Sequence, residues 1–341
     1  MSSTPVSVYP LKKIWLQNFL LWLLFLLICL GLGYATLSRY DPSKIPSLSD
    51  AAQYARMVDQ SAPAGGWFRY RILIPYLAKP IYHLVQGHIG SWSPVFFSLL
   101  CVNAFFVATA ALLLFRIGQT LLPNPTTALI GVLLYLLNFN IVNSQLVGLI
   151  DSGETLFLIL VTWALLKDRW YILPVLGILG VLAKESFIPI ATVFAAGWWI
   201  VDYRNQPNSL NKIVWVILMG LAGLATYSSV RWILGVGPVS PLDIAASAKT
   251  SQSFALPLNK HMLYGFAWLL PLGVLRLRDF PIAWIVASVF GFIVILLLAA
   301  WGGAVSGTLR YTFNLTGGLL SLSAAVFLES MLIRNEPRLA R

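Results

Sequence analysis

Residues 38–92, SRYDPSKIPSLSDAAQYARMVDQSAPAGGWFRYRILIPYLAKPIYHLVQGHIGSW, form the one long polar stretch in a chain otherwise made mostly of apolar runs. Ser47-Leu-Ser-Asp50 stands before the helical run AAQYARMVDQ in the pattern of a capping box. Tyr54 lies one turn after Asp50, on the same helix face. A Pro/Gly break follows at 63–66, and then the basic cluster Arg69-Tyr70-Arg71 opens a second amphipathic run, FRYRILIPYLAKPIYHLV. Its part ILIPYLAKPIYHLV reads as helical.

Outward from this stretch the chain is membrane-like. It is 58 % hydrophobic and 10 % charged, with a mean hydropathy of +0.80, far too apolar for a soluble globule. The formal charge of +11 does not point to nucleic acid, because the basic residues punctuate apolar runs instead of clustering on a soluble domain. Cys29 and Cys101 both lie inside apolar runs and imply no disulfide framework. His83, His88 and His261 lack the spacing of a zinc site. The run 14–37 follows Lys12-Lys13 like a signal sequence, but it is too long for a cleavable segment and reads as a retained first span.

At roughly 20 apolar residues per crossing, the expectation is an all-α polytopic membrane protein of about ten spans. These fall at 14–37, 93–115, 126–147, 152–166, 170–184, 186–202, 212–232, 261–275, 281–301 and 308–332. Residues 1–341 make one transmembrane domain, with outer loops 38–92 and 231–260 capping it. Short loops holding Arg116, Lys167, Arg169, Arg204, Lys212, Arg276 and Arg278 fall on the side of Lys12 and Lys13. The positive-inside rule makes that side cytoplasmic and puts both termini there. Size and the lack of eukaryotic targeting signals point to a bacterial inner membrane.

With this topology Asp50, Arg69, Arg71, Asp151, Glu154, Lys184, Glu185 and Arg310 all fall on the outer side, near span ends. Ionisable groups at the edge of hydrocarbon mark function unless they are paired or capped. Asp50 is either a helix cap or a general base. Asp151 and Glu154 open a span, where the helix dipole favours acids. Lys184 and Glu185 suit the ends of their own helices and, being adjacent, share no helix face. Arg310 opens the last span, where a positive charge opposes the dipole, so it calls for an acidic side chain or a phosphate. Arg69 and Arg71 pose the same question, with snorkelling to headgroups as the plain answer and forked donation to phosphate as the other. Asn314-Leu-Thr316 matches a glycosylation acceptor but lies within a span, out of reach.

Taken together, SLSDAAQY with Asp50, the amphipathic FRYRILIPYLAKPIYHLV, LAKES with Lys184, Glu185 and Ser186, and GTLRYTF with Arg310 resemble the GT-C class of integral-membrane glycosyltransferases. The resemblance implies that FRYRILIPYLAKPIYHLV is an amphipathic helix along the membrane surface in the first outer loop, and that a sugar is moved from a polyprenyl-phosphate donor to an acceptor on the non-cytoplasmic face. Asp50 would be the catalytic base, and Arg310 with Arg69 or Arg71 would hold the lipid phosphate. Lys184 and Glu185 would orient the donor, with Tyr54, Asp151 and Glu154 lining the substrate site. Two departures stand out: there is no Asp-x-Asp in the first loop, which weakens any metal-dependent mechanism, and no large soluble C-terminal domain. The partners would be the lipid-linked sugar and the bilayer, with the acceptor open and nucleic acid excluded. Two other readings stay open: a transporter or lipid flippase, and a non-catalytic membrane assembly factor.

Overall fold

Apolar runs of this length have one solution in hydrocarbon, since every backbone polar group must find its partner within its own helix or a closed barrel. The computed structural model describes residues 11–39, 50–60, 66–90, 92–206, 210–235, 260–302 and 308–334, and these fold into helices with no strand among them. In order they are α1 (Leu11–Leu37), α2 (Asp50–Asp59), a 3-10 turn (Gly66–Tyr70), α3 (Leu73–Val85), α4 (Pro94–Leu121) and α5 (Pro125–Leu136). A π-turn (Ile141–Gln145) leads to α6 (Asp151–Leu166), α7 (Leu173–Ala183), α8 (Phe187–Asn205) and α9 (Lys212–Ile233). The chain ends with α10 (Lys260–Ala267), α11 (Leu269–Val274), α12 (Ile282–Gly302) and α13 (Thr308–Arg334).

Five of these, α1, α4, α9, α12 and α13, are long and apolar enough to cross a membrane. The protein is therefore an all-α membrane protein. Its outer faces fit that medium: Leu16 and Leu24 on α1, Leu221 and Leu224 on α9, and Ile293 and Leu297 on α12 are all exposed, an apolar covering that water would not tolerate. The Ser47–Ser49 part of the capping box, the loop residues 236–259 and the glycine-rich 303–307 segment lie outside the described residues.

The middle of the bundle is α4, which packs against α1, α3, α5 and α6. Its buried alanines, Ala104, Ala108, Ala110 and Ala111, let neighbouring backbones come close, as small residues do between helices in lipid. At its far end Asn124 caps α5 by accepting from Thr126 N at 2.9 Å, with Pro125 at the first helical position.

Two expected spans are broken. The run 261–275 is split at Trp268 into α10 and α11, and the run 126–147 is not a single helix, because α5 stops at Leu136. Asn138 Oδ1 accepts from the backbone N–H of Asn140 at 3.0 Å, and its Nδ2 donates to the carbonyl of Gly265 at 2.8 Å. Short amide side chains compete with the helix ladder in this way. The chain then takes the π-turn and reverses at Gly148, whose φ of +89° suits a residue without Cβ.

Candidate functional site

The start of α6 sets the site. Gly153 permits the approach of α7 and α3, since a Cβ there would lie 2.9 Å from Ala183 Cβ and 3.1 Å from Ile74 Cδ1. Ser152 Oγ donates to Asn103 Oδ1 at 2.6 Å, and Asn103 Nδ2 donates to Leu149 O at 2.8 Å, pinning the same turn to α4. Asp151 and Glu154, three residues apart, face one way along α6.

Facing them is the break between α7 and α8. Lys184 is extended, with φ −164° and ψ 133°, so it and Glu185 point in opposite directions. Lys184 turns inward, where its Nζ donates to Asp151 Oδ1 and lies 3.5 Å from Glu154 Oε2. Glu185 turns to Arg71, which donates from Nε at 2.8 Å and from Nη2 at 2.5 Å in the forked geometry guanidinium favours. Arg71 Nη1 also donates to the Tyr54 hydroxyl at 2.7 Å. Adjacent Ser186 donates to Glu154 Oε1 at 2.5 Å.

The first two turns of α13 close the group. Arg310 Nε lies 3.3 Å from Asp151 Oδ2, and its Nη2 is 3.9 Å from Asp50 Oδ2. The 3.3 Å approach is an ion pair rather than a hydrogen bond, because Arg310 Nε has no hydrogen-bond partner. Asn314 Nδ2 donates to Glu154 Oε2 at 2.8 Å and to Asp151 Oδ1 at 3.3 Å. Gln145 Nε2, from the π-turn, donates to Asn314 Oδ1 at 3.1 Å and to Thr155 Oγ1 at 2.9 Å. Tyr311 lies under Lys184, whose Nζ is 3.9 Å from the ring centroid.

Asp50, Tyr54, Arg71, Asp151, Glu154, Lys184, Glu185 and Arg310 thus form one group drawn from five parts of the chain, in two bonded sets (Tyr54–Arg71–Glu185 and Asp50–Arg310–Asp151–Lys184–Glu154) that meet at the Lys184–Glu185 peptide. Arg69 is not linked into it by these bonds: it sits half-buried in the 3-10 turn with an interaction of its own. The group is layered. The side chains of Asp151, Glu154 and Lys184 are 2 %, 0 % and 1 % exposed, whereas that of Asp50 is 34 % exposed. Arg310 does find the acidic partners its position called for. Arg71 neither snorkels nor stands open, being buried and held by Glu185 and Tyr54.

Electrostatics follow the pairing. Burial disfavours the charged Glu185 carboxylate, but the Arg71 charge and its hydrogen bonds outweigh it and hold the acid below the usual carboxylate value. Burial pushes the Tyr54 phenol up, with Arg71 and Lys184 opposing only in part, so the hydroxyl stays neutral. Asp50, Asp151, Glu154 and Glu185 are four acids against three bases, Arg71, Lys184 and Arg310. Glu185 balances Arg71, and Asp151 with Glu154 balances Lys184 with Arg310. Asp50 is the acid left over, and it is the one nearest solvent.

Sequence reasoning missed Asn314, Gln145 and Tyr311. Asn314 stood out only as a glycosylation acceptor and is in fact 2 % exposed, with its amide spent on two carboxylates. The available signal was its spacing of four from Arg310, which puts both on one face of α13. Gln145 lies inside the expected span 126–147. Among the described residues no group of three His, Cys, Asp or Glu is placed to hold a metal ion. At the rim, Arg231 at the end of α9 stacks on Tyr70, 4.8 Å from the ring centroid to its Cζ. No protein-family model, curated protein or solved structure matches the chain.

Proposed function

We propose that the protein is a GT-C-type glycosyltransferase of about ten membrane crossings, which moves a sugar from a polyprenyl-phosphate donor to an acceptor hydroxyl on the non-cytoplasmic face of a bacterial inner membrane. The observation that carries this reading is the left-over charge: among the described residues of the group four acids face three bases, and Asp50, 3.9 Å from Arg310 Nη2, is the most exposed of the acids. A half-exposed carboxylate in that state is free to accept a proton.

In the proposed step the acceptor hydroxyl oxygen attacks the anomeric carbon of the donor sugar while Asp50 takes its proton. The bond from that carbon to the phosphate oxygen breaks, and the lipid phosphate leaves with the electron pair. Arg310, beside Asp50, offsets the charge that develops on the leaving oxygen. Arg71 is already committed to Glu185, so in this reading the phosphate falls to Arg310 with Arg69, and Arg71 shapes the wall through Tyr54. Lys184 and Asn314 hold Asp151 and Glu154, and Asp151 in turn holds Arg310. The donor's tail remains in lipid while its head reaches the outer end of α13.

A second reading, a transporter, is favoured by one feature: Asp151, Glu154 and Lys184 are completely buried beside a broken helix, as ion and substrate sites in such folds are. Deleting the gene and profiling lipid-linked sugars by mass spectrometry separates the two. Accumulation of a polyprenyl-phosphate sugar, reversed by the wild-type gene and not by Asp50→Asn, supports the transferase. An unchanged lipid-linked sugar pool, with purified protein moving solute into proteoliposomes, replaces it with the transporter.

A further inference from the structure

Among the described residues, the π-turn that follows α5, with Asn140 before it, carries polar atoms without a protein partner. Asn140 Nδ2 and Oδ1, Ser144 Oγ and Gln145 Oε1 make no hydrogen bond, in residues at most 1 % exposed. The i to i+5 bonding of a π-turn brings residues four and five apart onto one side, so Asn140, Ser144 and Gln145 share a face. Gly265 closes over that face, and even a Cβ at 265 would run into the Asn140 amide. Native interiors satisfy nearly all their buried polar groups, and four orphans on one turn are a concentrated exception.

The chemistry of the four atoms selects the occupant. Asn140 Nδ2 and the Ser144 hydroxyl offer protons, while Asn140 Oδ1 and Gln145 Oε1 take them. A metal cation would serve the oxygens and be repelled by the amide N–H groups. An apolar group would serve none. We infer that this face binds a small cluster of buried water molecules, which donate to the two carbonyl oxygens and accept from the amide and hydroxyl. The cluster sits directly behind the charged site, because Gln145 uses its other amide atom to hold Asn314, and Asn314 holds Asp151 and Glu154. Water on Gln145 Oε1 fixes which way that amide faces, and so which way Asn314 presents its N–H groups to the acids. The inference is independent of the transferase reading.

Brief radiolysis of the purified full chain in heavy-oxygen water, followed by peptide mass spectrometry, tests it. Ile141 and Leu146 adjoin Asn140 and Gln145 in sequence and are shielded from solvent, so only bound water labels them. The expected result is heavy oxygen on both in the wild type, falling to background in a monodisperse Asn140→Leu, Ser144→Ala variant. Absence of label in the wild type, with exposed Trp232 and Leu84 labelled, overturns the inference, as does label that persists in the folded variant. Should the variant misfold, the wild-type result decides alone. A melting temperature raised by sodium chloride and not by choline chloride would put a cation there instead, and also overturns it.

Discussion

The protein holds two lysines that each sit between two carboxylates, at opposite ends of α6. Lys184 lies between Asp151 and Glu154, all almost wholly buried. Lys212 lies 2.6 Å from Asp168 and 2.9 Å from Asp202, with the Asp168 side chain 68 % exposed. The second triad explains itself: it ties the α6–α7 connection and the end of α8 to the start of α9, with Trp170 Nε1 donating to Asp168 at 2.7 Å. Water covers its costs, and such a clasp is worth at most about 1 kcal/mol. The first triad has no such relief, since each charge taken out of water carries a desolvation penalty of several kcal/mol. Three further hydrogen-bonding groups, Asn314, Ser186 and Gln145, are recruited to satisfy it or its partners. Identical chemistry is a staple in one place and a demanding arrangement in the other.

The contrast breaks if both lysines respond alike to removal. Lys184→Met leaves two carboxylates buried without their cation and should cost about 3–5 kcal/mol, whereas Lys212→Met should cost less than about 1 kcal/mol. Thermal unfolding of both in the same detergent decides it. Asp50→Asn sharpens the contrast from the other side, because it touches the exposed edge of the buried group. Transfer activity should fall about 10²–10⁴-fold with the melting temperature unchanged. Activity that survives in folded protein removes the proposed base.

Much of the framework was legible in advance because period and hydropathy are local properties. Helices begin near each expected run, though those at 126–147 and 261–275 are broken, and α2 begins at Asp50. The pairings were not legible. Arg71 and Glu185 are 114 residues apart, and nothing near either in sequence names the other. Local dipole arguments accounted for Asp151 and Glu154 at a helix start and so hid that both face a lysine 33 and 30 positions on. The early end of α5 was hidden too, since Asn138 breaks a helix only with the Gly265 carbonyl there to receive its amide.

Smaller effects refine the picture. Asn314→Leu withdraws the amide shared by Asp151 and Glu154 and should cost about 1–3 kcal/mol; Asn124→Leu, which loses only the partly buried bond to Glu329 at 2.7 Å and a helix cap, should cost about 1 kcal/mol. Glu185 gives the smallest signal. Its carboxyl is lowered by folding from the ordinary 4.5, so its contribution is complete above that pH and is lost as pH falls through the lowered value. Glu185→Gln should flatten that part of the acid limb in a pH series of melting temperatures. A wild-type curve that Glu185→Gln leaves unaltered would mean the Arg71 pairing carries no stability.

Lys184 and Glu185 are consecutive residues with grips on different partners, one below and one above the same strand of backbone. A peptide unit held this way acts as the pivot of a balance. The Arg71–Glu185 pair and the Asp151–Lys184 pair therefore cannot be repositioned independently, because one peptide bond separates the two anchor points.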